Sequence, residues 1–141
     1  MMLLLVLLAC APPPLPVVDE APSIHITWPL PEADVTGCET VAVTVENFDL
    51  VEFPSTDENA EGEGHYHILS PRGYDPCYKP YCFVDLTDVV STTEPYFTAV
   101  LTYTDHTEVL IDGARIEHQI PINFIPGGDC ATAVEDTGGG Y

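Results

Sequence analysis

The sequence predicts an all-β fold, a disulfide-stapled antiparallel β-sandwich of about seven strands. Three observations predict it. Prolines, glycines and β-branched residues punctuate the chain roughly every ten residues, the rhythm of short strands joined by turns. Several segments alternate apolar and polar residues with the period of two that a half-buried strand requires. No window carries a capped helical period, and there is neither a heptad nor an internal repeat.

The elements follow in chain order. Ile24, Ile26 and Trp28 alternate with Ser23, His25 and Thr27, predicting a first strand whose apolar set faces the core. Pro29-Leu30-Pro31 ends it, and Gly37 marks the next turn. Val41, Val43 and Val45 alternate with Ala42, Thr44 and Glu46 in a second strand running toward Phe48. Residues 54–64 read as a long acidic loop and 65–69 as a short strand, with Tyr66 and Ile68 toward the core. Residues 71–80 read as a loop holding Cys77. Phe97, Ala99, Leu101 and Tyr103 alternate with Thr98, Val100, Thr102 and Thr104, a strand with a threonine outer face. Asp112-Gly113 between Val109-Leu110-Ile111 and Ala114-Arg115-Ile116 signals a type I′ hairpin. The return strand sets Ile116, His118, Ile120, Ile122 and Phe124 on one face, and Gly127-Gly128 closes the domain near Cys130.

The ends divide the chain into four parts: a leader (1–9), a Pro-rich stalk (10–22), the folded domain (23–130) and a small, Gly-rich tail (131–141) expected to be disordered. The apolar run before Cys10 is too short to span a bilayer, which takes about 20 residues, and fits the core of an export signal. Leu7-Leu8-Ala9-Cys10 resembles the lipobox of bacterial lipoproteins. That resemblance implies a signal peptide ending at Ala9 and acylation of Cys10, with palmitate among the chains. It also implies a membrane partner reached through the lipid anchor. Ala11, where Asp would retain an enteric lipoprotein at the inner membrane, implies the outer membrane. Pro12, Pro13, Pro14, Pro16 and Pro22 favour extended polyproline II, a stiff spacer between lipid and domain.

With Cys10 taken by lipid, Cys38, Cys77, Cys82 and Cys130 form an even set, and export favours disulfides. Of the three possible pairings, Cys77–Cys82 as a local clasp and Cys38–Cys130 as a tie between the domain's ends are preferred. A Cys-rich zinc site is the competing reading, but it wants paired CxxC-type spacings, and none is present.

The net charge is −20, and Arg72, Lys79 and Arg115 are the only Lys or Arg residues. Phosphate recognition needs clustered cations, so nucleic acid is excluded as a partner and so are anionic lipid head groups. The thiols are spoken for, and no G-x-S-x-G, phosphate-binding glycine loop or H-E-x-x-H occurs. No enzyme activity is expected. Asp57, Glu58, Glu61 and Glu63 do not have the spacing of a calcium-binding EF-hand loop and read as a solvated acidic loop.

Two resemblances refine the fold. Ile24-x-Ile26-x-x-Pro29 followed by Val41-x-Val43-x-Val45 resembles the first hairpin of immunoglobulin-like domains in bacterial surface proteins. Glu46-Asn47-Phe48-x-Leu50, then Gly62-Glu63-Gly64-His65-Tyr66-His67-Ile68, then 101–106, resembles small envelope domains built around a GHxH strand. These imply an immunoglobulin-like sandwich and no settled activity. Ser70-Pro71-Arg72-Gly73 stands where that group continues into an Asp-Gly turn.

His65 and His67 are the residues with chemistry to offer. Positions i and i+2 of a strand share a face, and two neutral imidazoles on one face chelate copper or zinc. His106 shares parity with Thr102 and Thr104 and supplies a third ligand if its strand extends that far. Copper–zinc superoxide dismutase shares the HxH spacing, but the rest of its ligand pattern is missing. The alternative is structural, with the pair hydrogen-bonding neighbouring strands and loops. His118 is expected as a satisfied core or rim histidine rather than a ligand. The sequence thus predicts a non-enzymatic envelope lipoprotein that needs no cofactor, a structural module or a surface binder of a protein or glycan. Copper or zinc binding is the alternative.

Overall fold

The computed structural model describes residues 20–52 and 59–130. The leader, Cys10, most of the stalk, Asp57 and Glu58 of the acidic loop, and the 131–141 tail lie outside the described residues.

Among the described residues the chain is all β, without a helix. The strands of five residues or more are β1 (Ser23–Trp28), β3 (Cys38–Glu46), β5 (Glu63–Ser70), β6 (Gly73–Cys77), β7 (Tyr81–Asp85), β8 (Tyr96–Thr102) and β11 (Glu117–Pro121). Two-residue strands fill the gaps: β2 (Asp34–Val35), β4 (Asp49–Leu50), β9 (Leu110–Ile111), β10 (Ala114–Arg115) and β12 (Asn123–Phe124). Of the four sheets among the described residues, the two larger run β1-β3-β7 and β11-β8-β5-β4, with β6 also paired to β5, and β10-β9 and β12-β2 are two-stranded. All pairings among the longer strands are antiparallel, while β4–β5 and β12–β2 are short parallel pairs. The order β1-β3-β7 against β11-β8-β5 is the A-B-E and G-F-C order of an immunoglobulin-like sandwich, with β6 in the C′ place.

The core follows from the alternation. Ile24, Ile26, Val41, Val43 and Val84 from the first sheet pack against Tyr66, Ile68, Phe97, Leu101 and Ile120 from the second. Tyr66 is fully buried and its hydroxyl donates to the Lys79 carbonyl at 2.7 Å, which removes the cost of an unpaired buried polar group. Both disulfides form as expected, Cys38–Cys130 with Cα atoms 4.9 Å apart and Cys77–Cys82 at 5.6 Å. Gly37, at φ +64°, permits the first: a Cβ there would stand 2.8 Å from the Gly128 backbone. The Asp112-Gly113 turn has both residues at positive φ, as type I′ demands.

Three sequence expectations are corrected, and one strand is added. Residues 71–80 are not simply a loop, since β6 lies within them. Pro76 hides it, because proline is compatible with a strand only at an edge, and β6 is an edge. The strand β7 is the addition, with Cys82 and Val84 alternating inward and Tyr81 and Phe83 outward. Trp28 leaves the core face and is 53% exposed, because a bulge between Ile26 and Trp28 breaks the period. The threonine face of β8 is buried as well, since β8 is central and its flanking strands' side chains cover it; the Gln119 amide, for example, donates to Thr98 Oγ1 at 3.0 Å.

Candidate metal centre

The centre is built on β5. Its Gly64 comes so close to β8 that a Cβ would overlap the Thr102 carbonyl oxygen and reach within 3.0 Å of the Phe48 ring. The glycine thereby draws the start of β5 tightly onto β8, with His65 opposite Thr102 and His67 opposite Val100. The alternation sends Tyr66 and Ile68 into the core and both histidines to the other face, as the sequence predicts. His65 nevertheless is not an outer-surface residue, for it is 1% exposed.

What covers it is the turn carrying His106. The condition under which parity offered His106 as a third ligand, that its strand extends so far, is not met: β8 ends at Thr102 and the chain turns back through 103–107. Asp105 organises this turn. Its Oδ1 accepts from the Thr107 N–H at 2.9 Å and from the Thr107 hydroxyl, and its own N–H donates to Asn59 Oδ1 at 3.0 Å. The Tyr103 N–H donates to the Thr107 carbonyl at 2.8 Å and closes the loop. His106 takes φ +66°, an uncommon region for a residue other than glycine, and this swings its ring over His65.

Three ring nitrogens converge. His65 Nε2 lies 3.0 Å from His67 Nε2 and 3.2 Å from His106 Nδ1, and the last two are 3.1 Å apart. Each such nitrogen carries either a proton or a lone pair. With two kinds of atom at three corners, at least one side must set like against like. Hydrogen bonding between these nitrogens alone therefore cannot satisfy the triangle. Three lone pairs directed at one cation can. A zinc- or copper-sized ion, with the usual bond of about 2.0–2.1 Å to nitrogen, would reach all three nitrogens together, and His65, His67 and His106 are the residues that would hold it. Among the described residues no carboxylate, cysteine or further histidine joins the group.

The electrostatics suit a neutral, ligating imidazole. Burial, then the charges of His67 and His106, push His65 down to about 4. His67 is lowered by burial and by His106, with the Glu108 carboxylate opposing. Tyr74, on β6, stacks on His67 with ring centroids 5.0 Å apart. Tyr74 and Glu108 were missed in the sequence. Only the pairing of Leu69 with Tyr74, and the bridge between Thr102 and Glu108, bring them to the site.

The other candidates separate from this centre. His118 is a satisfied histidine, as expected: its Nδ1 accepts from the Ile26 N–H at 3.0 Å, and its ring meets His25 edge-on at 5.1 Å. Asp85 lies beside Cys38 and Cys130, but both sulfurs are spent in the disulfide. No known protein family, curated protein or solved structure matches the chain.

Proposed function

We propose that this chain is a cell-envelope lipoprotein, anchored at the outer membrane through Cys10, whose sandwich binds copper or zinc through His65, His67 and His106. The observation that carries the metal reading is the triangle of ring nitrogens 3.0–3.2 Å on a side. Imidazole is a borderline ligand that favours copper(II) and zinc over calcium. The role is to hold or pass on the ion rather than to transform a substrate. The disulfides support an exported, oxidising setting. The lipobox-like Leu7-Leu8-Ala9-Cys10 and the prolines after it support the anchor and stalk.

Titration of the purified chain with zinc and copper(II), beside a His65→Ala/His67→Ala double variant and His106→Ala, tests the metal reading. Loss of a ligand should weaken binding by more than the roughly 10–100-fold typical of outer-sphere partners. Equal uptake by wild type and double variant would leave the histidines as a structural cluster and the domain as a metal-free surface module. Mass spectrometry of protein from its native host tests the anchor: an unmodified residue 10 rejects it.

A further inference from the structure

The outer face of the larger sheet holds a groove of about 780 Å³. That volume falls in the range of small-ligand sites, roughly 300–1,000 Å³. Strand register fixes its floor. Tyr74 pairs with Leu69, Leu69 with Thr98 and Thr98 with Gln119, one row across β6, β5, β8 and β11. The adjoining Ile68, Phe97 and Ile120 point into the core, so this row faces outward. Tyr96 stands two residues before Thr98 on β8 and shares the face. Residues 91–94 complete the lining.

The chemistry of the lining selects a ligand. Tyr74 and Tyr96 are 67% and 41% exposed. The face of a tyrosine ring is slightly negative and attracts the slightly positive hydrogens of C–H groups. Polar groups surround the two rings. Ser70 Oγ accepts the Arg72 N–H at 3.3 Å and Thr92 Oγ1 accepts the Glu94 N–H at 3.0 Å, so each hydroxyl keeps its own proton to donate. The Gln119 amide gives one N–H to Thr98 Oγ1 at 3.0 Å and keeps its carbonyl oxygen and a second N–H. Formal charge is mostly used up. Arg115, the lining's cation, is paired with Glu108 and Glu117, which leaves Glu94 as the charged lining residue outside an ion pair. An anionic ligand therefore finds no unengaged cation and meets a chain of net charge −20. A basic segment finds a single carboxylate. An apolar segment would strip water from the hydroxyls and the amide without replacing their hydrogen bonds. The ligand that matches has flat C–H faces edged by hydroxyls that both donate and accept. A pyranose ring with equatorial substituents is such a molecule, because its faces carry only axial hydrogens.

We infer that this groove binds a neutral oligosaccharide chain, with pyranose rings stacked on Tyr74 and Tyr96 and hydroxyls bonded to Gln119, Glu94 and Thr92. By strand spacing and rise the two tyrosines stand roughly 12 Å apart along the face. That separation spans more than one sugar ring, so the ligand is a chain rather than a monosaccharide. The site stands apart from the metal reading. None of its residues is a proposed metal ligand, and their one shared contact is the stacking of Tyr74 on His67.

The test titrates the full chain, purified in detergent, and follows binding by NMR. The neutral probes are linear hexamers of β-1,4-linked glucose and of β-1,4-linked N-acetylglucosamine. The charged controls are an oligomer of galacturonic acid and a short Lys/Ser peptide. At least one neutral hexamer should give saturable shifts confined to the signals of the groove, alike with zinc and with a chelator. Tyr96→Ala should weaken that binding about 3- to 10-fold, the scale of an aromatic stacking contact. Tyr96→Phe keeps the ring face and should bind like wild type. Gln119→Ala should weaken binding about 2- to 10-fold, the scale of one hydrogen bond. Failure of both neutral hexamers to bind overturns the inference, as does wild-type affinity in Tyr96→Ala and Gln119→Ala. Tighter binding of the acidic oligomer or of the peptide than of either hexamer also overturns it. Sugar binding that appears only with zinc would place the sugar at the histidines and reject the groove. Zinc uptake by the chain is read separately, so the inference and the metal reading fail independently.

Discussion

The Nδ1 of His106 lies 3.2 Å from the Nε2 of His65, across forty-one residues of sequence and at the tip of a turn rather than on a strand. The relationship depends on Asp105, which holds the turn through Thr107 and Asn59. Asp105→Ala removes no proposed ligand, yet it should lower zinc affinity about 10-fold by letting His106 swing away. A competition titration reads this. Affinity equal to wild type would show that the ion orders the turn unaided.

Acid should destabilise the metal-free protein through its buried histidines. The folded state holds His65 at about 4, below the ordinary 6.5 that the unfolded chain shows. The unfolded state therefore takes up the proton first as pH falls. Stability is full above about pH 6.5, drains away between there and about pH 4, and the loss approaches roughly 3 kcal/mol. His67 adds to the loss in the same direction. Asp85 and Asp105, held below 3.8 mainly by their Thr87 and Thr107 hydrogen bonds, lose their contribution only at still lower pH. Urea melts between pH 7 and 4.5 should show the slope in wild type and a shallower one in His65→Gln. Equal slopes would place the titration elsewhere.

Gly64→Ala should cost stability out of proportion to one methyl group. The new Cβ meets the Thr102 carbonyl, which is backbone and cannot rotate away, and the buried Phe48 ring. Overpacking of this kind costs about 1–3 kcal/mol. Because His65 is the next residue, metal affinity should fall in the same variant. A denaturation midpoint within error of wild type would mean that β5 and β8 separate freely.

The two disulfides should differ in worth. Cys38–Cys130 spans 92 positions of sequence and Cys77–Cys82 spans 5. On the chain-entropy argument the long loop contributes about 4–5 kcal/mol and the short one about 2 kcal/mol. Paired Cys→Ser variants, compared by equilibrium unfolding, should rank in that order. The reverse ranking would indicate that the clasp between β6 and β7 stabilises the folded state directly.

The strands that could be read in advance are those whose side-chain alternation is uninterrupted. Val41 to Val45, Tyr66 to Ile68 and Phe97 to Leu101 face the core as their period demands, because burial of one face is a local consequence of the pleat. Trp28 and β6 escaped for local reasons of another kind. A bulge shifts the register that the period assumes, and Pro76 imitates a loop until the strand is known to lie at an edge. Likewise, parity placed His65 and His67 side by side, but it named His106 for a reason that does not hold, since the strand stops at Thr102.

Composition, periodicity and cysteine parity were enough for the class of fold, the core faces of the main strands, an even set of four cysteines and the shared face of His65 and His67. Each of these depends on chemistry carried within a short window or on simple counting. The burial of His65, the turn that delivers His106, the stacking of Tyr74 and the groove beside them depend instead on which strands become neighbours and in what register. Those are contacts between distant segments. Their geometry is settled by the packing of two sheets against each other, and no local window of the chain contains it.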